Sequence, residues 1–303
     1  MKQPFSSHHP ERTVLQVLRD GEAALGQTSS SPRLDSEVLL RHVLNVSQSG
    51  LIVAFPELCP ADAQVRFSEK LERRKRGEPI AYIVGEREFW GLSFHVTPDV
   101  LVPRPETELL IEEVTKDCGR RQAVHVLDLG TGSGCIAIAL VKELLLRRCA
   151  QVSCDAVDCS EAALGVARAN AERHGVGAQI RFVQGSWCRD TTQLRPPYDY
   201  IVANPPYIDP LEKTPIELTY EPPSALYSDA HGLADTAEIL RSGLPLLRPG
   251  GVLLCEVGAG KGPFIEDVMG QYRGDYKVQY LGDGSELDRF RVIKVTKISQ
   301  GSS

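Results

Sequence analysis

The order of apolar and polar positions divides this chain into two unlike parts. Over the first 80 residues the apolar positions recur at helical spacing. Val14, Leu15, Val17 and Leu18 begin a stripe that reaches Leu25, and Leu34, Val38, Leu39 and Val43 carry a second. Between them Ser31-Pro32 supplies a cap and a first-turn proline. A third apolar segment, 51–55, stops at Pro56, and a further helix is expected from Pro60 to Arg76, ending at Gly77. Residues 81–104 then lose the helical period. Their β-branched and aromatic residues, broken by Gly85 and Gly91, predict a β-hairpin linker.

Pro105 opens another helix, with Glu106 and Glu108 in its first turn, and beyond it strands alternate with helices. "VHVLDLG", "VSCDAVD", "IRFVQG", "YDYIVAN" and "GGVLLCEVG" read as strands, and 133–147, 160–174, 233–247 and 261–272 as helices. "KVQYLG" and "RFRVIKV" predict a closing antiparallel pair. The expectation is an α/β domain over 105–303, its sheet covered on both faces, after a small all-helical domain over 1–80 and the linker over 81–104. In such sheets ligands bind beyond the carboxyl ends of the strands, where strand order reverses. Chemistry is therefore sought at strand ends.

Composition narrows the function classes. At 303 residues, with 42% hydrophobic and 24% charged residues, the chain reads as an ordinary globular protein. A net charge of −6 argues against stable binding of nucleic acid over a broad basic face. No run approaches the ~18 apolar residues of a membrane span. The N-terminal MKQPFSSHHPER has neither the apolar core of a secretory signal nor an Arg-rich amphipathic pattern, so a cytoplasmic location is expected. The eight cysteines, among them Cys135, Cys149, Cys154, Cys159 and Cys255, form no C-x-x-C pair. They read as small buried hydrophobes in a reducing compartment, and no metal site is expected. Arg73, Arg74, Lys75 and Arg76 read as cations at a helix C-terminus on a solvated face, with a contact for an RNA-rich or acidic partner as the alternative.

Four strand ends carry candidate chemistry. The first runs Asp128-Leu129-Gly130-Thr131-Gly132-Ser133-Gly134, where glycines allow a tight turn and close approach to a ligand. Dinucleotide, nucleotide and S-adenosyl-L-methionine (AdoMet) sites all use such a turn. The second ends at Asp158, where a carboxylate can accept from both ribose hydroxyls. Beyond the third lies Trp187, placed either to cover an adenine face or to fill the core. The fourth ends in Asn204-Pro205-Pro206-Tyr207. Proline fixes this turn and leaves its carbonyls free. Asn204 Oδ1 and the Pro205 carbonyl can each accept one N–H of a planar –NH₂ group, with Tyr207 packed on the flat face of that group. A delocalised nitrogen is a poor nucleophile, and two acceptors on its N–H bonds favour the charge that develops as a methyl group arrives. The pattern therefore suits methyl transfer to an amide or an aromatic amine.

The chain resembles the HemK/PrmC protein-(glutamine-N5) methyltransferases from about residue 11 to 295. The resemblance rests on "SPRLDSEVLL", "RRKRGEPIAYIVGEREFWGL", "LVPRPETE", "LDLGTGSGCIAIAL", "AVDCSEAAL", "VANPPYI" and "YEPPSAL". It implies a helical substrate-recognition domain, a β-hairpin linker and a seven-stranded, Rossmann-like class I AdoMet-dependent methyltransferase domain. It also implies an enzyme that converts AdoMet to S-adenosyl-L-homocysteine and methylates the glutamine of a Gly-Gly-Gln loop in class I peptide chain release factors, and a monomer is expected. Gly130, Thr131, Gly132, Ser133, Gly134, Asp158, Trp187 and Asn204 match the family's cofactor residues. Asn204, Pro205, Pro206 and Tyr207 match those that hold the glutamine. "GDGSELDRFRVI" departs from the family's D-x-x-G-x-x-R ending at Gly284 and Arg289, and Glu221 receives no assigned role. Two other functions compete. A nucleic-acid adenine-N6 methyltransferase would share NPPY but would want a basic surface and a target-recognition region. A non-catalytic adaptor would have lost the glycine turn or NPPY, and both are intact.

Overall fold

The computed structural model describes residues 11–119, 121–270, 272, 274–282 and 290–298. The chain forms two compact units, 1–85 and 86–303. The first holds five helices, α1 Val14–Leu25, α2 Pro32–Leu44, α3 Gln48–Ala54, α4 Ala61–Lys75 and α5 Ile80–Val84. Thr13 caps α1 in a capping box with Gln16. The amphipathic stripes of α1, α2 and α4 meet in a core built on Leu18, Leu25, Leu39, Leu40 and Phe67. Ser31 does not cap α2 with its side chain; its hydroxyl donates instead to Asp35 at 3.1 Å. That carboxylate is buried and also receives Arg74 Nε at 2.7 Å. Arg74 is therefore a buried ion-pair partner rather than a solvated cation. Arg73 pairs with Glu78, and Lys75 with Glu72.

The second unit opens with the hairpin β1 Glu86–Phe89 and β2 Leu92–His95. Residues 81–84, expected within the extended linker, belong to α5 instead. Pro79 starts that helix and Gly85, in the left-handed region, stops it. A single turn of 3₁₀ helix at Pro105–Thr107 leads into α6 Glu108–Asp117. The remaining elements are β3 Ala123–Leu129, α7 Cys135–Leu146, β4 Gln151–Asp158, α8 Glu161–Arg173, β5 Ile180–Gln184 and β6 Tyr198–Ala203. They are followed by the turn α9 Asp229–Gly232, then α10 Ala234–Gly243, β7 Leu247–Glu256, α11 Gly262–Gly270, β8 Tyr276–Gly282 and β9 Phe290–Lys297. The helix expected over 233–247 ends at Gly243 because Pro245 cannot continue it.

Seven strands form one sheet in the order β5-β4-β3-β6-β7-β9-β8, with only β9 antiparallel to its neighbours. Both faces are covered, which explains the unbroken apolar runs of the central strands. Along β6, Tyr200 and Val202 enter one core with α6 and α7, while Ile201 and Ala203 enter the other with α10. Strand order reverses between β3 and β6, where Leu129 is in register with Ala203. Gly130 and Asn204 thus leave the sheet side by side at the switch point. The divergent segment containing Gly284 and Arg289 lies outside the described residues.

Candidate active site

The strand ends open onto a cavity of about 340 Å³, within the usual ~300–1,000 Å³ of ligand pockets. Gly130, Gly132, Asp158, Trp187, Asn204 and Pro206 all line it. Gly130 adopts φ +72, and a Cβ there would come within 3.1 Å of the Trp187 ring, so the glycine lets the loop pass beneath the indole. Trp187 itself holds a left-handed backbone, φ 52, and its Nε1 donates to Asp235 Oδ1 at 2.8 Å. Asp235 is tied in turn to Ser228 Oγ at 2.6 Å. The half-buried indole lines the cavity and also packs against the core beneath it.

Thr131, Ser133 and Gly134 do not line the cavity but shape the loop. Thr131 Oγ1 donates to Asp128 Oδ2 at 2.7 Å, and Gly134 is the left-handed N-cap of α7, packed against Ala167. Burial raises the Asp128 carboxyl to about 7, with the Thr131 hydroxyl opposing the shift. Asp158 accepts the Gly132 N–H through Oδ2 and the Ser160 N–H through Oδ1, both at 2.9 Å. Each oxygen keeps a further lone pair for a ligand hydroxyl.

At the NPPY turn, Asn204 Nδ2 donates to Thr107 Oγ1 at 2.9 Å. Among the described residues neither Asn204 Oδ1 nor the Pro205 carbonyl accepts a hydrogen bond. Pro205 is buried and does not line the 340 Å³ cavity. The Tyr207 ring packs on Gly258 and its hydroxyl reaches Glu256 Oε1 at 3.4 Å. It lines a second recess of about 250 Å³ together with Arg104, Glu106, Glu256, Val257 and Arg291. The turn therefore stands between two cavities, with Asn204 and Pro206 on one and Tyr207 on the other.

The family described as "PrmC N-terminal domain" matches residues 16–85, and "Methyltransferase small domain" matches 105–220. A release factor glutamine methyltransferase of Coxiella burnetii is 40% identical over 285 residues, 93% of this chain and 99% of its own. One from Nitratidesulfovibrio vulgaris is 37% identical over 293 residues, 95% of this chain and 96% of its own. The chain belongs to the release factor glutamine methyltransferase family. The solved catalytic domain of hMettl16, with a TM-score of 0.54 and 18% identity, covers 77% of this chain and 83% of its own, and shares the fold.

Within this family member, several site residues were not legible in the sequence. Glu221 is buried and accepts the Val102 N–H at 2.9 Å while pairing with Arg104. It fastens the loop segment 99–102, which lines the larger cavity through Asp99, Val100 and Leu101. Asp235, Thr107 and Glu256 were also missed, and only the "PRPETE" string drew attention to Thr107. The residues present fit the methyltransferase cofactor AdoMet. Carboxylate acceptors at Asp158 and a glycine loop at Gly130 that a side chain would obstruct make a polar cradle beside the aromatic wall of Trp187. No His/Cys/Asp/Glu group that could hold a metal occurs among the described residues.

Proposed function

We propose that this enzyme methylates the side-chain amide nitrogen of the glutamine in the Gly-Gly-Gln motif of class I peptide chain release factors. The observation that carries this reading is the unengaged Asn204 Oδ1 at the cavity wall, on a turn whose Pro205 carbonyl is equally unengaged. The larger cavity takes the cofactor, with Gly130 to Gly134 beneath it, Asp158 on the ribose and Trp187 at its side. AdoMet, when bound there, supplies an electrophilic methyl group. Asn204 Oδ1 and the Pro205 carbonyl accept the two carboxamide N–H groups and fix the nitrogen in place. Both acceptors strengthen as positive charge develops on that nitrogen, which is the differential binding that lowers a barrier. The alkylated nitrogen is strongly acidic, so its extra proton leaves to water without a dedicated base. Pro206 and Tyr207 hold the turn, and the recess beside Tyr207 admits the narrow glutamine with its flanking glycines.

Eight free cysteines, seven of them buried, support action in the reducing cytoplasm. The carboxylate partners of Arg73, Arg74 and Lys75, with the net charge of −6, support the absence of stable nucleic-acid binding. The helical unit 1–85 serves release-factor recognition.

Labelled AdoMet incubated with an intact release factor should label it, and a factor with the motif glutamine replaced should stay unlabelled. Asn204→Ala should cut turnover by roughly 100-fold or more while the fold is kept. Label appearing in DNA or RNA adenine instead, or full activity in Asn204→Ala, overturns the assignment.

A further inference from the structure

Thr107 stands between two groups that the chain brings from 97 and 149 residues away. Its Oγ1 accepts from Asn204 Nδ2 at 2.9 Å and donates to Glu256 Oε2 at 2.7 Å. Thr107 and Glu256 are each 2% exposed, so water has little access to either bond. The sheet dictates the meeting: Ala203 is in register with Cys255, Glu256 ends β7, and Asn204 leaves β6 beside it.

A hydroxyl carries one proton and donates once. Against an ionised Glu256, which only accepts, that proton goes to Oε2. The lone pair left on Oγ1 takes only a donor, so the Asn204 amide must present Nδ2 and turn Oδ1 outward. With the chain of protons reversed, Thr107 would donate to Oδ1 and Nδ2 would face the substrate. Donor would then meet donor, and a carboxamide N–H would find no acceptor.

We propose that Thr107 is a positioning residue that fixes the amide polarity of Asn204, with Glu256 as the terminal acceptor of the relay. This deepens the reading above, since it rests on Asn204 Oδ1 receiving a substrate N–H. A carboxylate buried to this depth is costly, and a neutral side chain would pack there at less cost. Burial raises Glu256 to about 7, and the Thr107 hydroxyl opposes the shift. Glu106 raises it further, and Tyr207 and Arg291 pull it back. Arg104 faces the same recess and Cys255 adjoins it on β7. A proton arriving at Oε2 reverses the relay, so turnover falls as pH drops through this range.

The test is a kinetic cycle on the full chain with an intact release factor. Thr107→Val, nearly isosteric, should lower kcat by roughly 10- to 100-fold, as removal of groups that orient a functional side chain does. Thr107→Ser keeps the relay and should stay within about threefold of wild type. In an Asn204→Ala background, Thr107→Val should cost nothing more. A second readout needs no turnover. The Asn204 side-chain NH₂ resonance, identified by its loss in Asn204→Ala, should exchange faster with solvent in Thr107→Val than in wild type. Thr107→Ala serves both measurements if the valine variant does not fold. Wild-type kcat in the valine variant, a serine variant as slow as valine, or an unchanged penalty without Asn204 overturns the relay. A wild-type enzyme that leaves the glutamine unmethylated overturns the proposed function instead, and the resonance still decides the relay.

Discussion

Glu256 is a carboxyl group whose burial opposes its own ionisation. Its folded value of about 7 lies above the ordinary 4.5, to which the unfolded chain returns. Between those values the folded protein keeps a proton that the unfolded chain has released. The group therefore favours folding at low pH, and that contribution is lost as pH rises through about 7. Glu256→Gln removes the titration. Its stability relative to wild type should accordingly rise between pH 5 and pH 8 by an amount on the order of 1–3 kcal/mol, seen as a growing difference in melting temperature. Scanning calorimetry at the two pH values checks this, and a pH-independent difference would mean that the carboxyl titrates normally. Stability and turnover thus run in opposite directions with pH at this residue. Asn204, Asp158 and the glycines were legible because each follows an apolar run that already reads as a strand. Thr107 and Glu256 were not, because their roles exist only through contacts 97 and 149 residues apart.

At the scale of elements, the alternation of strands and helices was readable because each carries several periods of its pattern. α5 was not, since five residues between Pro79 and Gly85 hold little more than one helical turn. Nor was the stretch after the NPPY turn, where 3₁₀ turns at Ile216–Tyr220 and Pro223–Ala225 precede α9. The sequence marks these with prolines but gives no period to follow. α9 is the element that braces the site. Ala230 and His231 both sit in the left-handed region, at φ 53 and φ 59, and Gly232 follows at φ +79. Left-handed backbone costs a non-glycine residue about 1–2 kcal/mol, so the turn is held by its surroundings. His231 Nδ1 bonds Asp209 at 2.9 Å and Lys261 donates to the His231 carbonyl. A methyl group on Gly232 would land on the Tyr207 carbonyl oxygen. Gly232→Ala should therefore displace the NPPY turn and lower kcat at least tenfold, the scale of cost for misplacing a reacting group by about an ångström. Circular dichroism should stay native. An alanine variant with wild-type kcat would show that the turn does not depend on this contact.

At the scale of the molecule, each unit has a core of its own. The helical unit closes around residues between Val14 and Ile83, and the sheet unit around residues between Phe89 and Val295. Every residue lining the 340 Å³ cavity lies between Asp99 and Asp235. A fragment of residues 86–303 keeps both cores of the sheet unit, the switch point and the Asn204–Thr107–Glu256 relay. It should therefore fold cooperatively and bind AdoMet with a dissociation constant within about threefold of the full chain, because no lining residue has been removed. Methylation of an intact release factor is another matter. If residues 1–85 supply recognition, the fragment loses binding energy remote from the reacting amide. Its kcat/KM then falls by roughly tenfold or more, from ~1.4 kcal/mol of lost contacts. Calorimetric titration with AdoMet and steady-state methylation on the same preparation separate the two effects. A fragment that binds AdoMet and methylates the factor at full efficiency removes the helical unit from recognition. One that no longer binds AdoMet shows that the sheet unit is not self-sufficient.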